Sequence, residues 1–520
     1  MHCELPKIES AFRRSVSQQV EKLPHFTNAG KRKRAVKTRR FALHSKPINN
    51  RKAPANAAGE GAMNHICRTK TLFIGVSLLV ALPFAALSFP SVYPTGTTIF
   101  HPDQTWSGYT LFNTPQGAIL IDMNGNELRR WEEIWGHPPR ILPGGQIMGG
   151  VGERTPYQEV IALTQQDWDG NIIWQYDGAE QVQTEDGQTV WASRQHHDWQ
   201  REGSPAGYYA ESEPLLTEGR TLVLGHKELV NLEISDKRLE DDYIYELSWD
   251  GEILWDWSAN EHIDEFGFSE DARNAIYRSV SFTEAQQSAD WLHINGMSYV
   301  GPNHWYDEGD ERFHPDNVIF SSRQANIVVI IDRTGSVVWR IGPDYRETAA
   351  MRALGQVSGQ HHPHIIPIGL PGAGNIMFFD NGGAAGYGAG TPFGPDGRNI
   401  VARDYSRVLE INPVTLEKVW EYSIPGGTDF QFYSPNVSSA QRLANGNTLI
   451  TEGAAGRIFE ATADKEIVWE FVNPYFNANN GRNNMYRAYR VPYDWVPQLQ
   501  RPQERAVIPP NLAEFRIQPQ

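Results

Sequence analysis

From about residue 109 to residue 493, short apolar runs alternate with turn residues, and one unit recurs. It is a strand, an Asp or Asn turn usually carrying Gly, then a strand that ends in Trp. The copies read IDMNGNELRRW to Trp131, DWDGNIIW to Trp174, LSWDGEILW to Trp255 and IDRTGSVVW to Trp339, with looser forms INPVTLEKVW to Trp420 and ATADKEIVW to Trp469. Asp-Gly and Asn-Gly suit tight hairpins because both central residues tolerate positive φ. A second phrase follows most of these hairpins: a polar or His-bearing stretch, a turn, then an apolar strand, as in PPRILPGGQIMGG and SAQRLANGNTLITEG. One hairpin and the next make a four-stranded blade, and repeats of this kind signal a propeller.

The pattern predicts an all-β chain forming a six-bladed β-propeller. Spacing between successive Trp residues varies from 43 to 84, which places insertions in several blades, two of them at 258–288 and 301–314. RAYRVPYDW near the C-terminus and YTLFNTPQGAILID near the start of the body are expected to share one blade and close the ring, removing exposed sheet edges.

Charge and hydropathy divide the chain. Residues 1–70 hold 16 Lys and Arg against 4 Asp and Glu, leaving 31 basic and 58 acidic residues in 71–520, a net of −27. An acidic body lacks the basic footprint that nucleic acid requires. The basic run Lys31-Arg32-Lys33-Arg34 precedes the uncharged stretch TLFIGVSLLVALPFAALSF at 71–89, which has a small-x-small cleavage pattern at Ala86-Leu87-Ser88. Two readings stay open: a signal peptide opened by Met63 and cleaved, or a signal anchor with 1–70 left in the cytoplasm. Either way the expected division is a basic segment 1–70, an export segment 71–89 and a propeller 90–520. Its expected place is periplasmic or extracytoplasmic, on the membrane only if the segment is retained. Cys3 and Cys67 are the chain's cysteines, so the exported body has no disulfide and no thiolate chemistry.

Candidate chemistry lies in the second phrase. Histidines cluster there as His196 and His197 in RQHHDW, His293 in DWLHIN, and His361, His362 and His364 in GQHHPHIIP, with Arg323 following in VIFSSRQANIVVIID. Inner strands of a propeller line one channel, so equivalent positions in neighbouring blades converge on the axis. Several imidazoles with one guanidinium suit an anion with three charged oxygens. A neutral imidazole is also a nucleophile that forms covalent intermediates. The rival reading is Zn²⁺ held by three imidazoles, which an Arg aimed at the same point would oppose.

The phrases HHDWQREG, DWLHIN, IFSSR, GQHHPHIIP…GNIMFFDNGG and QRLANGNTLITEG, in that order, resemble the bacterial arylsulfate sulfotransferases. The resemblance runs from about Tyr109 to Tyr493. It implies a six-bladed propeller that moves a sulfuryl group from a phenolic sulfate ester to a phenol through a sulfohistidine, with no nucleotide donor; no cofactor is expected, and the Arg-plus-imidazole pocket is expected to work without a metal. It implies His361, beside Gln360, as nucleophile, His197, His293 and Arg323 as holders of the sulfuryl oxygens, and Asn295 as a further residue of the pocket. Strand alternation is expected to put His362 and His364 on the face opposite His361. Two alternatives stand beside this reading: a metal- or quinone-dependent propeller oxidoreductase or lyase, and a ligand-binding propeller without turnover.

Overall fold

The computed structural model describes residues 94–509, apart from 135–137, 184–186, 204–213, 280 and 425–431. The basic segment and the 71–89 stretch, with its proposed cleavage site, lie outside the described residues. Among those described, no helix is long and apolar enough to cross a membrane.

The architecture is all-β and propeller-like, built of antiparallel four-stranded meanders. Three stand as separate four-stranded sheets. In one, Ala488–Val491 pairs with Tyr109–Thr114, which is followed by Gly117–Ile121 and Glu127–Trp131. The second runs Ile294–Tyr299, Val318–Ser322, Ile327–Ile331, Val337–Ile341, and the third His361–Ile365, Ile376–Asp380, Arg407–Ile411, Lys418–Tyr422. A five-stranded sheet takes Ser439–Arg442, Thr448–Glu452, Arg457–Ala461 and Ile467–Val472, and adds Gly96–Phe100 at its outer edge. Pairing of the 488–491 strand with the 109–114 strand closes the chain on itself, as the sequence predicts.

Six separate blades are not what the pairing gives. The remaining strands form one ten-stranded sheet containing two meanders, 140–176 and 195–258. The fusion is slight: Gln195 pairs with Gly225 in its own meander and also with Val160 in the one before. The two predicted insertions carry short helices, Glu270–Tyr277 in the first, His304–Asp307 and Glu311–Phe313 in the second.

The hairpins form where Asx chemistry is local. Asp122, Asp167 and Asp332 each accept the backbone N–H four residues on, which folds the turn before any strand packs. The Trp residues then join meanders. The indole N–H of Trp174 donates to Trp249 O, Trp255 to Arg333 O, Trp339 to Pro413 O, Trp420 to Ala463 O and Trp469 to Met123 O. Each acceptor is the second residue of the next hairpin's turn, and the last bond runs back to the first hairpin. Trp131 departs from the expected equivalence. It comes nine residues after its turn aspartate where Trp174 and Trp339 come seven after theirs, so Arg129 takes the register position and lies over the Trp168 ring at 4.4 Å. Six apolar clusters fill the spaces between successive meanders, such as Leu142, Met148, Trp199, Val223 and Tyr245 between the two that share a sheet.

Candidate active site

Near the starts of three inner strands one residue has an unusual backbone. His197, His293 and His362 have φ of 52°, 53° and 54°, in the left-handed region that non-glycine residues rarely enter. His197 and His362 sit inside breaks in strand register, between Gln195 and Trp199 and between His361 and His364, while His293 directly precedes a strand whose break lies between Ile294 and Gly296. Such breaks re-aim side chains, and a left-handed non-glycine residue costs of order 1–3 kcal/mol, so both persist only where the surroundings hold them. This conformation, rather than simple strand alternation, turns His362 away from His361. It also shows that His362, not His361, is the backbone equivalent of His197 and His293.

Around His361 the groups fix one tautomer. Its Nδ1 lies 2.9 Å from Gly359 O and 2.7 Å from Asn381 Oδ1. The Asn381 amide is oriented by its own Nδ2, which donates to Ser434 O at 2.7 Å and Val437 O at 2.8 Å. Both neighbours of Nδ1 are therefore acceptors, Nδ1 carries the hydrogen, and Nε2 keeps its lone pair. Burial, then the charge of Arg323, hold the imidazole pKa well below its ordinary value, so the ring is neutral at neutral pH.

The expected partners come to the same place. His197 meets His293 edge to face at 4.7 Å, and the ring of Tyr486 stands 5.7 Å from His197 and 6.4 Å from His361. Asp290 Oδ2 lies 2.5 Å from His293 Nδ1, which orients the ring. Against burial, which works to raise it, the charge of His293 and this hydrogen bond lower the Asp290 pKa. The backbone N–H of Arg323 donates to His293 O at 3.1 Å. Its guanidinium Nε is buried and has no hydrogen-bond partner among the described residues. Burial pushes the Arg323 pKa down.

Asn295 sits differently. Its Nδ2 donates to Gln360 O at 2.8 Å and its Oδ1 accepts from Ser321 Oγ at 2.7 Å. Its own carbonyl accepts from Tyr486 Oη and Arg487 Nη2. Asn295 thus ties the residue before His361 to the ring-closing strand. Gly296 next to it lets the backbones touch, since a Cβ there would lie 3.0 Å from His362 N and 3.1 Å from Arg487 Nη2. His362 and His364 pack together, 4.5 Å between ring centroids, with His362 Nδ1 donating to Ala440 O and His364 Nδ1 to His362 O. Burial lowers both pKa values, that of His364 to about 3.

Sequence reasoning missed Asn381, Asp290 and Tyr486. Asp290 had a signal, three residues before His293 in DWLH. Asn381 stood inside the quoted GNIMFFDNGG, but its contact depends on strand pairing. Tyr486 reaches the site only through ring closure.

No curated protein matches the chain significantly. Among solved structures it is similar to a protein of unknown function from Bacteroides caccae, at 10% identity over 74% of this chain and 99% of that one, with a TM-score of 0.38. It is also similar to a catalytically inactive virginiamycin B lyase from Staphylococcus aureus bound to quinupristin (11%, 74% and 90%, TM-score 0.32). A putative 6-phosphogluconolactonase from Bacteroides fragilis matches likewise (13%, 75% and 100%, TM-score 0.32). Likeness at this level carries no functional argument. The profile of the Arylsulfotransferase (ASST) family, by contrast, matches residues 207–490, more than half of the sequence, and the chain belongs to that family.

Proposed function

We propose that the protein transfers a sulfuryl group from a phenolic sulfate ester to a phenol through a sulfohistidine at His361, without a nucleotide donor. The observation that carries this reading is a neutral, tautomerically fixed imidazole beside Arg323, whose Nε is buried without a hydrogen-bond partner among the described residues. A buried N–H without an acceptor is costly, and a sulfuryl oxygen supplies one.

In the proposed reaction Arg323, His197 and His293 hold the sulfuryl oxygens, while Asn295 positions the strand that bears His361. The Nε2 lone pair of His361 attacks sulfur, the S–O bond to the aryl group breaks, and the phenolate leaves with that electron pair. Positive charge grows on the imidazole, and its Nδ1–H shares it with Gly359 O and Asn381 Oδ1. An acceptor phenol then gives up its proton and attacks the same sulfur, restoring neutral His361. The departing phenolate takes up one proton and the acceptor loses one, so the overall exchange is balanced. Preorganised donors on the equatorial oxygens supply most of the acceleration.

We further propose that the ten-stranded sheet is two blades bridged at Gln195, giving six in all. The five Trp bonds, the Arg129–Trp168 contact in the sixth place and, among the described residues, the apolar clusters between successive meanders support that count. Export of the body to the periplasm, after cleavage at 71–89 or with that segment retained, belongs to the same proposal and rests on the sequence alone.

The test is purified protein quenched during turnover of a chromogenic aryl sulfate and read by intact mass and peptide mapping. One SO₃ on the peptide bearing His361, discharged by added phenol, is expected. Phenol release with no adduct, or an adduct elsewhere, would refute the assignment.

A further inference from the structure

A two-stranded hairpin, Ala385–Tyr387 paired with Arg398–Val401, leaves the 361–422 meander between its second and third strands and crosses to the segments that carry His293 and Arg323. Two bonds hold it there. Gly386 N–H donates to Gln324 O at 2.9 Å, and Tyr387 Oη donates to Trp291 O at 2.6 Å. Gln324 follows Arg323 in the chain, and Trp291 lies between Asp290 and His293. Tyr387 is buried and is the cross-strand partner of Arg398, so both side chains leave the hairpin on one face, the face turned toward this segment. Arg398 is half-buried, and its charge reaches two groups of the site. Burial pushes the Asp290 pKa up, while His293, His226 and Arg398 pull it down. Burial lowers the Arg323 pKa, Asp290 raises it, and Arg398 lowers it. Coulomb effects weaken with distance, so Arg398 stands near both.

We propose that Arg398 is a substrate-binding residue which, with Arg323, holds the sulfate group of the donor ester; the inference rests on the transferase reading. Asp290, the carboxylate near both guanidiniums, is engaged by His293 Nδ1 at 2.5 Å. The fixed charges of Asp290, Arg323 and Arg398 come to one positive. An aryl sulfate carries one negative charge and brings that total to zero. With Arg323 alone the count would be neutral before the donor arrives and negative afterwards. Two like charges in a partly buried place repel, and an anion between them replaces the repulsion with attraction to both. Each guanidinium presents its donors in a planar fork, so two of them can serve a tetrahedral sulfate from two sides. Because Arg398 would meet the sulfate, it favours the anionic donor and leaves the neutral acceptor phenol unaffected. It comes from an inserted hairpin and not from an inner strand, so the repeat pattern gives no sign of it.

Equilibrium binding is measured in the full-length His361→Asn chain, where no transfer consumes the ligand. Calorimetric titration with para-nitrophenyl sulfate should show binding roughly 10–150-fold weaker once Arg398→Gln is added, the loss of one charge-assisted bond. Arg398→Lys keeps the charge without the fork and should lose less. Phenol binding, followed by ligand-observed NMR, should be unchanged in both. Arg346→Gln, in an exposed pair with Asp344, should alter neither ligand. A crystal of the His361→Asn chain with the ester bound keeps the inference testable if Arg398→Gln fails to fold. A sulfate oxygen within hydrogen-bond reach of the Arg398 guanidinium supports it. Unchanged ester affinity in folded Arg398→Gln, an equal loss of ester and phenol, or a bound sulfate beyond that reach would overturn it. Wild type that binds the ester through Arg398 yet releases no phenol would refute the transfer reading alone. Full turnover with binding indifferent to Arg398 would refute this inference alone.

Discussion

Replacing Arg323 with Met should move stability and activity in opposite directions. The side chain keeps its apolar stem but loses a guanidinium whose Nε is buried without a partner. Leaving such a polar group unsatisfied costs about 1–3 kcal/mol, and removing it returns that amount to the folded state. With unfolding entropy near 2.1 cal/mol/K per residue, a body of this size changes by roughly 0.9 kcal/mol per degree at its midpoint. Arg323→Met should therefore raise Tm by about 1–3 °C in sulfate-free buffer. Loss of one donor to the transferring group should slow labelling of His361 by about 10²–10³-fold. Inorganic sulfate at a hundred times its Kd should add about 2.7 kcal/mol to wild type and far less to the variant. Scanning calorimetry with and without sulfate, and stopped-flow release of a chromogenic phenol under single-turnover conditions, read both quantities. A variant that melts lower than wild type yet labels within twofold of its rate would show that the guanidinium is structural and that the anion site lies elsewhere.

His361→Asn should abolish both transfer and the covalent adduct, whereas His362→Ala and His364→Ala should retain labelling, as peptide mapping after quench will show. The single-turnover labelling rate should hold as pH falls from 7.5 to 5.5. Burial and Arg323 depress the His361 pKa below 6.5, so protonation removes the nucleophile only at lower pH, and a rate falling with an apparent pKa near 6.5 would contradict this. Asn381→Ala removes one of two acceptors for a developing imidazolium, worth about 1.5–3 kcal/mol, and should slow labelling roughly 10–150-fold. Trp469→Phe breaks the bond that links the last hairpin to the first and should destabilise the body by about 1–3 kcal/mol in denaturant titration, with labelling per folded molecule unchanged.

The hairpins were legible in the sequence because an Asx turn with Gly is set by a few adjacent residues. The closing strand was legible for a related reason, since an unpaired apolar strand at each end of a repeat array calls for a partner. Trp131 was misplaced because the ending in Trp was matched while the turn-to-Trp spacing was not. The bridge at Gln195 rests on one backbone pair, which leaves no trace in composition or periodicity. At the site, the histidine clusters were visible, but which residue of each takes the left-handed backbone was not. In RQHHDW and GQHHPH it is the second histidine, and nothing local to either phrase marks it. Asn381 and Tyr486 reach the site by pairing and by ring closure, and no local pattern could have named them.

The left-handed residues explain why one repeat can serve two purposes. In both double-histidine inner strands the second histidine is at positive φ; His361 and His362 bond different groups, Asn381 and Ala440 O, whereas His196 keeps its Nδ1 2.8 Å from His197 Nδ1. In the 361–365 strand, the neighbour before the left-handed residue is His361, held by Asn381 and subject to the charge of Arg323. In the 195–201 strand, the same neighbour is His196, which stacks on His226 among carboxylates. In the 294–299 strand the place belongs to Leu292, fully buried in apolar contacts. One backbone device thus presents three different side chains at one repeat position, and the surrounding residues decide what each does. Arg323 beside His361 favours an anion, whereas His196 is held by Gly225 O and the His226 ring, with Asp242 3.4 Å away. The neighbours, more than the histidine itself, separate a reacting imidazole from a packed one.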